Sequence, residues 1–232
     1  MHRYGFEFNG ETAQSHHIYV ENRPNIPTGK EKIEYIKIAG KDTPVALRTG
    51  NYENVEIYVD CGWKVDKKLW NEKIREVRRW LRGAGSLTFS DSTETFWKVN
   101  EVIIKEFVRT IKKYGKFRVK FICDPHEYIK GGLQEMKMQD AVYNPYDLCH
   151  PTYLITGNGN CTLTVNGRTM KATVGQNLTV DTERMIAYRR DGVIMNTAVT
   201  GDYEDLYLQP GENDIKITSG FTLKVIPNWR RL

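Results

Sequence analysis

Through the first half of the chain, apolar and polar residues alternate at a period of two, interrupted once by a stretch with helical spacing. Arg3–Phe8 ends at Asn9-Gly10, a pair suited to positive φ at both positions, which predicts a tight hairpin turn. Ile33–Ile38 and Val55–Val59 alternate as strands, each expected to bury one face and wet the other. Gly40–Pro44 and Thr49–Asn51 are read as turns between them. Phe96–Phe107 and Lys116–Cys123 form longer strands. In the second, Phe117, Val119, Phe121 and Cys123 share one side while Lys116, Arg118 and Lys120 share the other. That pattern predicts a half-exposed sheet with a basic outer face. The interruption is Lys67–Arg82, where Trp70, Ile74, Val77 and Leu81 make one helical stripe. Lys68, Lys73, Arg75, Arg78, Arg79 and Arg82 fall on its remaining faces. Asp66 is placed to cap its start and Gly83 to end it in the left-handed conformation.

The pattern changes after Asp124-Pro125. Residues from 125 to 150 read as a linker and a first edge strand, with Gly131-Gly132 and Asn144-Pro145 as loosening and turning points. Short strands follow at Thr152–Thr156, Cys161–Val165, Arg168–Thr173, Asn177–Val180, Met185–Arg189, Val193–Asn196, Leu206–Leu208, Asn213–Thr218 and Phe221–Ile226. Asn166-Gly167, Asp191-Gly192 and Ser219-Gly220 supply hairpin turns, and Gly157–Asn160 is read as another turn. Short strands without a helix predict a β-sandwich or jelly roll. The chain is therefore expected to hold two mainly β domains, 1–130 with one helix and 131–232 with none. Asn22–Gly29 carries Pro24 and Pro27 and must run extended, unfit for a central strand but suited to an arm lying on a neighbouring surface.

Composition narrows the function classes only a little. The 232 residues are 40% hydrophobic and 27% charged, which describes a globular chain rather than a disordered one. A net charge of +5 fits acidic protein partners as well as nucleic acid. Met1–Gly10 has no apolar stretch of the secretory kind, and no run is long enough to span a bilayer. The expectation is a protein kept in a cytoplasm or carried inside a larger particle. Cys61, Cys123, Cys149 and Cys161 lack C-x-x-C spacing and are expected to be reduced, mostly buried thiols. Cys149-His150 with Cys161, or His16-His17, matches no standard zinc pattern. His126 between Asp124 and Glu127 could be drawn as an acid–base pair, and Asp202 with Asp205 as a hydrolase pair, but sequence spacing brings neither into a cleft. Walker, Gly-x-Ser-x-Gly and His-Glu-x-x-His motifs are missing, so no enzyme activity, cofactor or metal is expected.

Five pieces then fall in a telling order. They are Glu21–Pro27 with its Arg-Pro; Gly40–Pro44 followed by Gly50–Asn54; the helix-to-strand corner Trp80-Leu-Arg-Gly-Ala-Gly-Ser-Leu-Thr-Phe-Ser-Asp91; Gly115–Pro125; and Gly211–Ile215 leading to Pro227-Asn-Trp-Arg-Arg-Leu232. In this order and spacing they resemble the distal tail protein (Dit) family of long-tailed bacteriophages, over most of the chain. The resemblance implies an N-terminal β-sandwich or split-barrel-like domain with one α-helix, followed by a C-terminal galectin-like β-sandwich. It also implies a structural protein of the virion tail tip, made in the host bacterial cytoplasm. Six copies would form a ring hub joining the tail tube protein to the tail-associated tip protein, in some members also anchoring receptor-binding proteins, with DNA passing through without specific binding.

A ring-former needs strand edges or arms for its neighbours. Arg23, Pro24, Ile26 and Pro27 of the arm, the Phe96–Phe107 strand, and Arg75, Arg78, Arg79 and Arg82 of the helix are the expected contacts. Those arginines could face solvent, a subunit or nucleic acid, although no aromatic stacking platform is interleaved with them. A lumen that passes DNA is expected to be acidic or neutral, with the basic helix elsewhere. The rival reading is a carbohydrate-binding receptor module using Tyr188, Tyr203 and Tyr207. Against it, the second half has Trp229 as its only tryptophan and lacks the polar signature of galectins.

Overall fold

A computed structural model describes residues 4–111, 113–137 and 141–232. Arg3, at the head of the first expected strand, lies outside them. The chain forms two compact units, Met1–Glu127 together with Leu232, and Tyr128–Arg231. Both are built mainly of strands, and the described residues contain a single α-helix.

The first unit runs β1 (Phe6–Phe8), β2 (Glu11–Thr12), β3 (Ile18–Val20), β4 (Lys30–Ile36), β5 (Val45–Glu53), β6 (Val55–Lys64), α1 (Trp70–Trp80), β7 (Gly85–Phe89), β8 (Thr95–Ile111) and β9 (Tyr114–Ile129). Asn9 and Gly10 take φ of +52° and +84°, the two positive values that a tight hairpin between β1 and β2 requires. Seven of these strands share one sheet in the order β2-β1-β7-β8-β9-β6-β3. Period-two patterning works here as expected: Val55, Ile57, Val59 and Cys61 of β6 pair with Cys123, Phe121, Val119 and Phe117 of β9, all buried. Trp63, fully buried, meets Trp70, Phe107 and Phe117 at ring-centroid distances of 5.5–5.9 Å.

Asp66 caps the helix region as expected, accepting a hydrogen bond from Lys68 N–H at 3.1 Å, but the first turn, Lys67–Leu69, is a 3₁₀ turn before α1 begins. Gly83 takes φ +81° just beyond the end, where a Cβ would be strained. Trp70, Val77 and Trp80 are buried and Leu81 follows them inward. Lys73, placed by its charge on the outer faces, is a correction: it is only 5% exposed. Its ammonium donates to the His16 carbonyl and to both carboxylate oxygens of Glu76. His16 itself lies 2.9 Å from Glu76 and 2.7 Å from Glu11, with its ring stacked on Trp80. A buried lysine is tolerable because every donor finds an acceptor.

The larger correction concerns β4 and β5. They pair with each other and with no other strand of the described residues. Thr49–Asn51, read as a turn, lies inside β5. The alternation in Ile33–Ile38 produces no buried face, because no second layer covers either side of this part of the hairpin.

The second unit contains β10 (Met136–Lys137), β11 (Ala141–Asn144), β12 (Thr152–Val165), β13 (Arg168–Asp181), β14 (Ile186–Tyr188), β15 (Val199–Thr200), β16 (Gly211–Ile217), β17 (Thr222–Ile226) and β18 (Arg230–Arg231). Strands β10-β17-β12-β13-β14 lie in that order, with β16 joining β11 to β12 and β15 beside β13. Four runs expected as separate strands are two long ones, paired residue for residue from Thr152–Asp181 to Val165–Arg168. Gly157–Asn160 is therefore mid-strand rather than a turn; Gly157 and Gly159 take φ of +158° and +113°, backbone open to glycine, while the pairing runs on unbroken. Val193–Asn196 and Leu206–Leu208 contribute single bridges, Tyr188–Ile194 and Cys149–Leu208, rather than strands.

This core is aliphatic and is edged by two buried amides. Asn213 accepts from Gln209 N–H and Asn166 Nδ2 and donates to the carbonyls of Gln209, Gly211 and Val142. Trp229 packs against the same core, and Gly132 is needed there: a Cβ on it would lie 2.5 Å from Trp229 N.

Candidate assembly surface

The proline-bearing arm is laid along its own unit. The Arg23 guanidinium stands 5.2 Å over the Tyr4 ring and 3.6 Å from the Asp91 carboxylate. Pro24 and Pro27 are half-buried, while Ile26 points outward, 48% exposed. Burial, and then the Asp91 charge, push the Tyr4 hydroxyl up to about 12. Tyr4 stacks on Phe89, and cavities of about 490 and 470 Å³ lie against this aromatic pair and the Arg23–Asp91 bridge.

Open strand edges are the larger feature. β7 pairs with β8 only from Gly85–Val99 to Leu87–Trp97. Asn100–Arg109 of β8 thus has β9 on one side and no strand on the other among the described residues. At the far side of β9, β3 covers Cys61–Trp63 of β6 and Glu21 N–H donates to Asp60 O. Val55–Val59 has no strand on its outer side among the described residues, and a cavity of about 560 Å³ separates Glu56, Tyr58 and Asp60 from the arm. One sheet therefore carries unpaired backbone at both flanks of the β8-β9-β6 triplet. Such edges are usually blunted or covered.

The outer face of this triplet corrects the expectation of a basic surface. Arg118 grips Asp60 with two hydrogen bonds of 2.6 and 2.9 Å, Lys120 meets Glu56 at 2.8 Å and Lys116 meets Glu21 at 2.7 Å. The Arg118 hydrogen bonds hold the Asp60 carboxyl below the usual range, and those from Lys120 and Tyr58 do the same for Glu56. Arg118 and Lys120 of β9 are matched by carboxylates of β6, a strand about sixty residues away in sequence, and Lys116 by Glu21 just beyond β3.

Arg75, Arg78 and Arg79 on α1, and Arg82 just beyond its end, are all exposed. Arg78 lies 5.4 Å over the Phe107 ring, and the other three hold no carboxylate among the described residues. In the second unit, the Tyr207 ring is stacked on His150 at 4.1 Å. The Tyr203 hydroxyl is buried without a hydrogen-bond partner, and Tyr188 sits in β14. Thus Tyr207 spends a ring face, and Tyr203 its hydroxyl, on the protein interior. The suspected acid–base group is engaged in sheet contacts: Asp124 accepts from Asn100, Glu127 accepts from Thr95, and His126 meets Tyr52 edge-on. Asp205 faces Arg168 at 3.9 Å. All four cysteines are free and buried, and burial pushes the Cys123 thiol up to about 12. Among the described residues no cluster of His, Cys, Asp or Glu is shaped for a metal ion, and no helix is long and apolar enough to cross a membrane.

No protein-family model matches the chain, and no curated protein matches it in sequence. Among solved structures, the Dit protein of phage SPP1, described as a paradigm of the hub adsorption apparatus in phages infecting Gram-positive bacteria, matches with a TM-score of 0.76. The match covers 100% of both chains at 16% identity. The chain has a Dit-like fold. At that identity the likeness establishes the fold, and what a Dit-like fold does in this chain rests on the surfaces described above.

Proposed function

We propose that this chain is a structural, non-enzymatic distal tail protein of a phage or prophage, assembling as a homohexameric ring hub at the virion tail tip. The ring joins the tail tube to the tip proteins used for host attachment, after synthesis in the host cytoplasm. The observation that carries this reading is the pair of open edges on β8 and β6 within a Dit-like fold. β6 and β8 both run antiparallel to β9, so they are parallel to each other. Joining the β8 edge of one copy to the β6 edge of the next is a head-to-tail contact, and head-to-tail contacts close into rings when the rotation allows. The count of six comes from the resemblance.

In such a ring the buried face of the triplet, carrying Phe117, Val119 and Phe121, stays outward under its own core, and the ion-paired face lines the passage. Arg118–Asp60, Lys120–Glu56 and Lys116–Glu21 then present matched charges to DNA in transit, with no row of free cations to hold phosphates. Light scattering of the purified chain across a concentration series, followed by negative-stain imaging, tests the reading. Ring particles near six chains in mass are expected, and a glycan-binding monomer would replace this reading with the receptor-module alternative.

A further inference from the structure

The β4–β5 hairpin is an anomaly in energetic terms. A hairpin of two strands is marginal in water by itself, and here none of residues 21–54 contributes to the buried core of the unit. Yet Tyr35 is 67% exposed, Ile36 47%, Ile38 51%, Val45 37% and Leu47 46%. The register places Ile36 opposite Val45 and Glu34 opposite Leu47. Those four share one face, apolar but for a single carboxylate, while Tyr35, Ala46, Ile33 and Arg48 share the other.

We propose that this hairpin is a docking prong whose apolar face is covered by a second copy of the same chain. This rests on the ring reading above and names the contact that reinforces it. Area is the first argument. Ile36, Val45 and Leu47 present an exposed apolar strip on that face, by itself short of the roughly 800 Å² per partner that a specific interface needs. Continuity supplies the remainder. Asn54 alone separates β5 from β6, so the prong and the open Val55–Val59 edge form one surface, and the neighbour that takes the edge is the one within reach of the prong. Charge points to a protein rather than a polyanion. Lys30, Lys32, Lys37, Lys41 and Arg48 are offset by Glu31, Glu34, Asp42 and Glu53, and Arg48 is already held by Glu31 at 2.6 Å. A near-balanced, apolar prong suits the mixed-charge surface of another copy and offers little to phosphate or an anionic membrane.

The test is the full chain carrying Ile36→Lys and Leu47→Lys, compared with the unchanged chain by light scattering over a concentration series. Hydrogen exchange of residues 30–53 is followed in parallel. Both positions are exposed, so the melting curve of the unassembled chain serves as the folding control. The expected result is an assembly midpoint at least tenfold higher in concentration for the variant. In the unchanged chain, hairpin amides should become slower to exchange as it assembles. Rings of unchanged chain whose variant assembles within threefold of the same midpoint overturn the prong and leave the ring standing. An unchanged chain that stays monomeric at every concentration overturns both.

Discussion

The two units solve the same problem, burying one face of a sheet, with different materials. The first fills its core with Trp63, Trp70, Trp80, Trp97 and five phenylalanines, and leaves strand edges and a hairpin open. The second packs Val, Leu and Ile around the buried ring of Tyr153, and secures its loops with the amides of Asn144 and Asn213. Large rings cover much area per residue, which lets a unit be stable while part of its backbone is held back for neighbours. The difference teaches where the proposed assembly has room to act, since the open edges and the uncovered hairpin both lie in the first unit.

Two core substitutions break that comparison most sharply. Trp63→Ala removes a fully buried indole that meets Trp70, Phe107 and Phe117. A loss of about 3–5 kcal/mol is expected from the transfer and cavity costs together. In calorimetry the transition of the first unit should fall while that of the second stays in place; equal shifts in both would mean the units do not unfold separately. Asn213→Ala is the mirror experiment. It strands Gln209 N–H, Asn166 Nδ2 and three carbonyls around a fully buried position. About 2–3 kcal/mol should be lost from the second unit alone, because orphaned buried groups cost their full desolvation.

What was legible in the sequence follows the same line. Local chemistry read correctly: Asn9-Gly10 and Asn166-Gly167 turn with positive φ, Asp66 caps, and Gly83 ends the helix region. The alternation in Lys116–Cys123 did fall with its apolar side inward. What failed was everything decided by a distant partner. Ile33–Ile38 and Val55–Val59 alternate alike, yet only the second lies under a core, since period two reports a strand and not what covers it. The basic row on β9 looked free because Glu56 and Asp60 reach it only through strand pairing. Lys73 read as solvated because its acceptors, His16 O and Glu76, come together only once the helix docks on the β2–β3 connection. Among candidate contacts, the arm was visible through its prolines. The β4–β5 hairpin, a contact only by proposal, is signalled in the sequence by nothing more than apolar residues on both of its faces.

Acid sharpens the contrast further. Burial raises the Glu76 carboxyl, but hydrogen bonds from His16 and Lys73 outweigh it and hold the group below its usual 4.5. A depressed carboxylate stabilises the fold above its unfolded-state value, and that contribution disappears as pH falls through the folded one. The first unit should therefore lose stability on acidification below about pH 4.5, and Glu76→Gln should flatten part of that decline in a series of melting curves. Because the side chain is 41% exposed, the change should stay under about 1 kcal/mol. The second unit's melting should not respond to this substitution at any pH.

The smallest stability effect is the most discriminating. Tyr35→Ser removes the most exposed large apolar residue of the hairpin, a ring that no core residue touches. For a side chain so placed, stability should move by no more than about 0.5 kcal/mol. A residue retained for its own fold would cost several times that, as is expected of Trp63. If chemical denaturation of the dilute, unassembled chain shows Tyr35→Ser to be as damaging as a core truncation, the hairpin is packed in solution against its own unit. The contrast between an open first unit and a self-sufficient second one would then collapse. A neutral result leaves the ring of Tyr35 in water in the unassembled chain, so that the hairpin stands off its own core, the condition that the proposed prong must meet.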